Sequence, residues 1–196
     1  MKDSQFEHKA LKVLKTFLLD LLLVTDGRTT DFLEVLLNEK LKVQVIRQEQ
    51  INEADAKLFG ESSGAPYYIR ESVLIGERSG FVVSHNIAMV YAKHVPPALF
   101  ESIAHQKYGI GNAISSLGMR SFRKVTDSGY VNEEESVDLF QQPIRLHFSD
   151  LHEKVPYKRY DLYFGSKPGI EMLEYYHPSI IEHRLLQEIS KEQSSN

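Results

Sequence analysis

The sequence predicts an α+β protein: an antiparallel β-sheet flanked by helices, in a single domain over residues 1–196. Two helix-like patterns come first, and most runs that alternate apolar and polar residues follow them. The links between several of those runs are of hairpin length. No strand, glycine-rich turn and helix unit appears, so a parallel nucleotide-binding sheet has no support.

The elements follow in order. Leu11, Leu14, Leu18, Leu21 and Leu22, beside Glu7, Lys12 and Lys15, predict an amphipathic helix lying on the core and stopping at Asp26-Gly27. Asp31 and Glu34 have capping-pair spacing ahead of Leu36 and Leu37, which predicts a second helix and so a helical hairpin. Leu41 to Gln48 alternates as a strand. A short helix is expected within Ile51 to Gly60, then a loop at 62–66. The run YYIRESVLIG is the next strand, turning at Gly76 to Gly80, and FVVSHNIAMVYAKHVP gives one long strand or two short ones. Pro96-Pro97 opens a helix over about Ala98 to Tyr108, with Gly109 as its cap, and a short helix follows over Ile110 to Leu117. Further strands are expected near Arg120 to Val125 and Ile144 to Phe148, with the acidic stretch Asn132 to Asp138 a solvated loop. Tyr160 to Phe164 and KPGIEMLEYYHP form a hairpin, and a helix over Ser179 to Lys191 turns Ile180, Leu185, Leu186 and Ile189 inward.

Composition narrows the function. The 196 residues carry a formal net charge of −4, which gives no general attraction to nucleic acid. Without cysteine there is no disulfide, thiolate metal site or cysteine nucleophile. Lys15 and Asp20 interrupt the apolar N-terminal run, which argues against a membrane span or a signal. The expectation is a soluble, cytoplasmic protein. Eight dispersed histidines, with no HExxH and no close acid and histidine cluster, give no metal site, and no nucleophile elbow is present.

Two residues stand out by position. Arg70 shares a strand face with Tyr68, Ser72 and Leu74, where its planar fork suits a carboxylate, either of a ligand or of a structural acid. Glu174 lies on a face with Met172 and Tyr176, and alternation alone fits a solvent-facing acid as well as one looking into a pocket. Amides near Gly109, Ile110 and Gly111 are possible anion donors, and Lys93 and His94 sit at a strand end.

Taken together, LLLVTDGRTTDFLE, VIRQ, YYIRESVLI, YAKHVPP, YGIGNAI and RYDLYFGSKPGIEMLEYYHP resemble the chorismate pyruvate-lyase family in order and spacing, over roughly Leu11 to Pro178. The resemblance implies a sheet enclosing a small aromatic acid beneath helical flaps, with no metal or organic cofactor, and release of pyruvate from chorismate to leave 4-hydroxybenzoate. It implies that Arg70 pairs with the ring carboxylate and Glu174 takes the hydroxyl at the other end. Lys93, Arg47 and the amides of Gly109 to Gly111 are then candidates for the second carboxylate, with Thr29 lining the pocket. Lys93 stands where relatives commonly have arginine, and His94 where they have a small hydroxyl residue. Two alternatives remain: a non-catalytic binding or sensing protein of the same fold, or a lyase acting on another cyclic enol ether. The fold also serves regulators that carry a DNA-binding domain of some 60 or more residues ahead of it, and a match starting near residue 11 leaves no room for one.

Overall fold

The computed structural model describes residues 2–51, 66–105 and 109–194, without the side chains of 2–5 and 194. Two helices, α1 (Lys2–Val24) and α2 (Thr29–Leu37), precede strands β1 (Leu41–Ile51), β2 (Tyr67–Gly76) and β3 (Val82–Tyr91). Short helices α3 (Pro97–Ala104) and α4 (Ile110–Ser116) follow, then β4 (Phe122–Val131), a 3-10 turn at Glu133–Glu135, β5 (Val155–Tyr163), β6 (Pro168–Tyr176) and α5 (Ile180–Ser194). The six strands form one antiparallel sheet in the order β1-β2-β3-β6-β5-β4. The α+β class read from the sequence is the observed one.

Paired residues on neighbouring strands point to the same face, so the register decides what meets what. One row runs Gln48, Arg70, Ala88, Met172, Tyr160, and the next runs Ser72, Asn86, Glu174, Lys158. Two apolar clusters cover this face at separate places. Leu99 and Ile103 of α3 and Ile110 and Ala113 of α4 pack on Ala88, Tyr160, Leu162 and Met172. Leu22, Leu33 and Leu37 of α1 and α2 pack with Leu74, Tyr176 and Ile180. The other face is covered by the 132–154 segment, whose Leu139 and Leu146 pack on Ile87, Met89, Leu173 and Tyr175.

Several boundaries depart from the sequence reading. Asp31 is no cap: Arg28 holds that position, Asp31 lies in the first turn paired with Arg28, and Glu34 turns to Lys40 and the Leu41 amide. α3 ends at Ala104, and Gly109 opens α4 instead of closing α3. Gly109 is needed there because a Cβ would come within 2.9 Å of Val43 Cγ2. Ile144 to Phe148 is not a strand; only an isolated bridge joins Val137 and Pro143. The acidic stretch is not simply solvated, since Ser136 and Asp138 are buried and Asp138 Oδ1 accepts the amides of Phe140 and Gln142. Leu14 and Leu21 of α1, and Leu185, Leu186 and Ile189 of α5, are exposed, while Leu19, Leu23 and Ile181 do the packing. The short helix and loop expected over 52–65, and Tyr108, lie outside the described residues.

Candidate functional site

Between the two clusters no described residue packs on the sheet from above, and a cavity of about 450 Å³ opens over it. That is ample for a small ring acid and within the usual range of ligand sites. β2 contributes Arg70, Ser72 and Leu74, β3 Asn86 and Ala88, β5 Tyr160 and Leu162, and β6 Met172 and Glu174. The start of α2, with Arg28, Thr29 and Thr30, forms one wall. Gly109, Ile110 and Gly111 of the α4 entry form another, and the segment with Arg120 and Arg123 a third.

Arg70 lies on the cavity floor, 1% exposed, with Nη1 donating to Gln48 Oε1 at 3.4 Å. Burial lowers its pKa from the ordinary arginine value, a measure of how poorly water reaches the guanidinium. Glu174 is also buried, and each of its carboxylate oxygens accepts a phenol: Tyr160 at 3.1 Å and Tyr176 at 2.6 Å. Those phenols are pushed well above the usual tyrosine range, first by burial and then by the Glu174 charge, so they remain donors. Arg70 and Glu174 flank β3 and are offset by two residues along it. Strand spacing and rise then put their Cα atoms roughly 12 Å apart.

A second layer of charge supports this pair. Lys158, opposite Glu174 in register and fully buried, donates to the α1 carbonyl of Leu22 at 2.9 Å and to Thr25 O at 3.3 Å. Burial lowers its pKa to about 8, against the opposing pull of Glu174. Arg123 stacks over the Tyr160 ring at 4.3 Å, and donates to Thr29 Oγ1 at 3.3 Å and to Gly27 O. Lys158 and Arg123 thus tie the α1–α2 turn, which walls the cavity, to strands β5 and β4.

Of the residues singled out in the sequence, Arg70, Glu174, Thr29, Gly109, Ile110 and Gly111 meet at this cavity. Arg47 and Lys93 do not. A β-bulge between Val45 and Arg47 reverses the alternation of β1, so Leu41 and Val43 face the cavity while Arg47 turns to the opposite face and bonds Glu71 Oε2 at 2.7 Å. Lys93 follows the end of β3 and lines a separate groove with His94, Pro96 and the β5–β6 turn. Sequence reasoning missed Asn86, Tyr160, Arg120 and Arg123. Asn86 is buried beside the cavity, its Oδ1 has no hydrogen-bond partner among the described residues, and it pairs with Glu174 across the β3–β6 ladder. Its signal was available, a lone amide in the apolar run HNIAMV.

Spacing also hid an acid and histidine cluster. On the far face Glu71, His85 and His147 bring ligand-type atoms within 4.8 Å of one another. Its bonding is that of an ion-pair network. His85 Nδ1 accepts the His147 amide at 3.3 Å, which fixes the ring proton on Nε2, facing Glu71 Oε1 at 2.9 Å. A cation on Nε2 would need that proton moved to Nδ1, against another donor, and Arg47 already occupies the second Glu71 oxygen.

The fold and the cavity define an α+β protein with an arginine-rich, ligand-sized pocket on its sheet. The chain belongs to the chorismate pyruvate-lyase Rv2949c-like family, whose model matches residues 23–149. That stretch contains Arg70, Asn86 and Arg123, and ends before Tyr160 and Glu174. No curated protein matches the chain. Among solved structures it is similar to PhnF from Mycobacterium smegmatis, at 17% identity and TM-score 0.48 over 79% of this chain and 65% of that one. A GntR-family transcriptional regulator from Bacillus cereus aligns at 15% identity and TM-score 0.44, over 71% and 92% of the two chains. The effector-binding domain of the Bacillus subtilis trehalose repressor aligns at 12% and 0.35, over 69% and 89%. Among the described residues no helix is long and apolar enough to cross a membrane.

Proposed function

We propose that the protein is a cytoplasmic, single-domain chorismate pyruvate-lyase, forming 4-hydroxybenzoate and pyruvate without a cofactor. The observation that carries this reading is the charge of the cavity. In a chain of net charge −4, the described lining holds four arginines, Arg28, Arg70, Arg120 and Arg123, and one carboxylate, Glu174. Such a site favours a small ligand with more than one negative charge. Chorismate carries two carboxylates and a ring hydroxyl.

In this reading Arg70 binds the ring carboxylate, where desolvation strengthens a forked ion pair. Glu174, oriented by Tyr160 and Tyr176, accepts the ring hydroxyl across β3, and Asn86 lies between them. The enolpyruvyl carboxylate falls to the wall arginines, Arg123 and Arg120, the role for which the resemblance had named Lys93, Arg47 and the amides of Gly109 to Gly111. The ether bond at ring carbon 3 breaks, the hydrogen at carbon 4 is lost from the ring, and the departing enolpyruvate gains a proton to become pyruvate. The ring becomes aromatic, so the driving force is in the substrate. Holding both ends in the reactive conformer can lower the barrier by several kcal/mol, up to roughly 7–11 in well-oriented systems.

Purified protein is incubated with chorismate and EDTA, and both products are quantified against an enzyme-free control. Equimolar 4-hydroxybenzoate and pyruvate above control is the expected result. If neither appears while 4-hydroxybenzoate raises the melting temperature, the protein binds aromatic acids without catalysis and the lyase reading fails.

A further inference from the structure

α1 is apolar on two opposite sides. Its inner side, Leu19, Leu22 and Leu23, is buried, yet on the outer side Phe6 is 74% exposed, Val13 69%, Phe17 56% and Val24 71%. An exposed apolar stripe along a whole helix marks an interaction surface.

The stripe itself indicates the occupant. Phe6, Ala10, Val13, Phe17, Asp20 and Val24 recur at alternating spacings of four and three, the seam of a helix that packs along another helix. This seam is a palindrome about position 15: reversed, it sets Phe6 against Val24, Ala10 against Asp20, and Val13 against Phe17. Large side chains thus meet large ones, and the one acid meets the smallest residue. Lys9, exposed and next to Ala10, is on the flank that Asp20 of a reversed copy would reach. Asp20 uses Oδ1 to accept the Tyr130 hydroxyl of its own chain at 2.7 Å, which fixes its direction and leaves Oδ2 for a partner.

We propose that α1 is the contact of a two-fold dimer, in which the outer stripes of two copies pack antiparallel, with Lys9 of each facing Asp20 of the other. The surface is self-complementary, as an isologous contact requires. A single helix pair lies at the small end of stable interfaces, so the dimer is expected to dissociate on dilution. The contact lies outside the cavity lining and is independent of the catalytic reading.

Sedimentation velocity over about 1–200 μM of the full chain tests this, with the expected result a concentration-dependent monomer–dimer equilibrium that obeys ionic-strength dependence for a charged pair. Phe17→Glu is exposed, so it should leave the fold intact and abolish the dimer. Lys9→Glu should weaken dimerisation at least tenfold, and adding Asp20→Lys should restore it. Because the chain has no cysteine, direction can be read by a short thiol crosslinker: Val13→Cys should join to itself and Phe6→Cys should not. A monomer throughout the range, a dimer indifferent to Phe17→Glu, or crosslinking at Phe6→Cys would overturn the proposal.

Discussion

Arg70 and Glu71 are neighbours on β2, and the two faces of the sheet treat them in opposite ways. Glu71 looks to the solid side, where Arg47 and His85 take its two oxygens and the 132–154 segment seals apolar groups around it. Arg70 looks to the side where the described helices stand apart, and its guanidinium borders a cavity. Both positions put charge into a sheet interior. One network is closed by the protein's own groups, and the other presents a cationic floor toward a space of ligand size. The contrast teaches that a buried ion is informative through what it faces, more than through its burial.

Substitutions on the two sides should separate sharply. Arg70→Ala is expected to lower kcat/KM for chorismate by a hundredfold or more with only a small change in melting temperature, and Arg70→Lys to recover little, because an ammonium cannot replace the fork. Near-normal kinetics for either would remove Arg70 from its proposed role. Glu174→Gln should cost about tenfold or more, since an acceptor is kept and the charge lost; unchanged turnover would exclude proton transfer by Glu174. On the solid face the loss should fall on stability instead. Leu146→Ala, by opening a cavity beneath the covering segment, is expected to cost about 2–5 kcal/mol in denaturant unfolding while leaving 4-hydroxybenzoate affinity unchanged. Glu71→Gln should cost about 1–3 kcal/mol, again without an effect on ligand. Loss of ligand affinity in either variant would mean that the two faces are coupled.

The smallest effect is a pH slope. Burial lowers the pKa of His85, His177 and His183 below the ordinary 6.5. The folded chain therefore resists protonation that the unfolded chain accepts, and stability should fall as pH drops from about 6.5 toward the folded values. A titration of melting temperature between pH 7.5 and 5 checks the sign. His85→Gln should flatten part of the slope.

Sequence made the paired strands legible through their alternation. YYIRESVLIG is β2 from Tyr67 to Gly76, and KPGIEMLEYYHP contains β6 with Met172, Glu174 and Tyr176 sharing a face, as alternation requires. It failed where one residue breaks the count. The bulge before Arg47 has no marker in LKVQVIRQ, so nothing in the sequence showed that Arg47, by resemblance a candidate for the second carboxylate, turns away from the cavity. Arg123 was missed because a basic residue on an edge strand reads as solvated until its neighbours across space are known. Helix ends failed for a related reason: Asp31 and Glu34 have the spacing of a cap, but Lys40 and the Leu41 amide offer Glu34 better partners. Within 132–154 the alternation of IRLHF reads as a strand, yet that stretch finds no partner strand and packs as irregular backbone over Ile87, Met89 and Leu173.

The strand order β1-β2-β3-β6-β5-β4 joins two meanders through the single seam between β3 and β6. Arg70 belongs to the first meander and Glu174 to the second, and the residues paired at the seam, such as Asn86 and Glu174, are 88 positions apart in the chain. Contacts at such separation form late, because loop closure must be met before they reward it. A chain emerging from the ribosome can therefore assemble β1 to β3 with its guanidinium side in place, yet has no complete cavity until the last strand docks. Completion of the cavity is in this sense a report on complete folding, and a fragment that stops before Pro168 would expose β3 as an unpaired edge open to other strands.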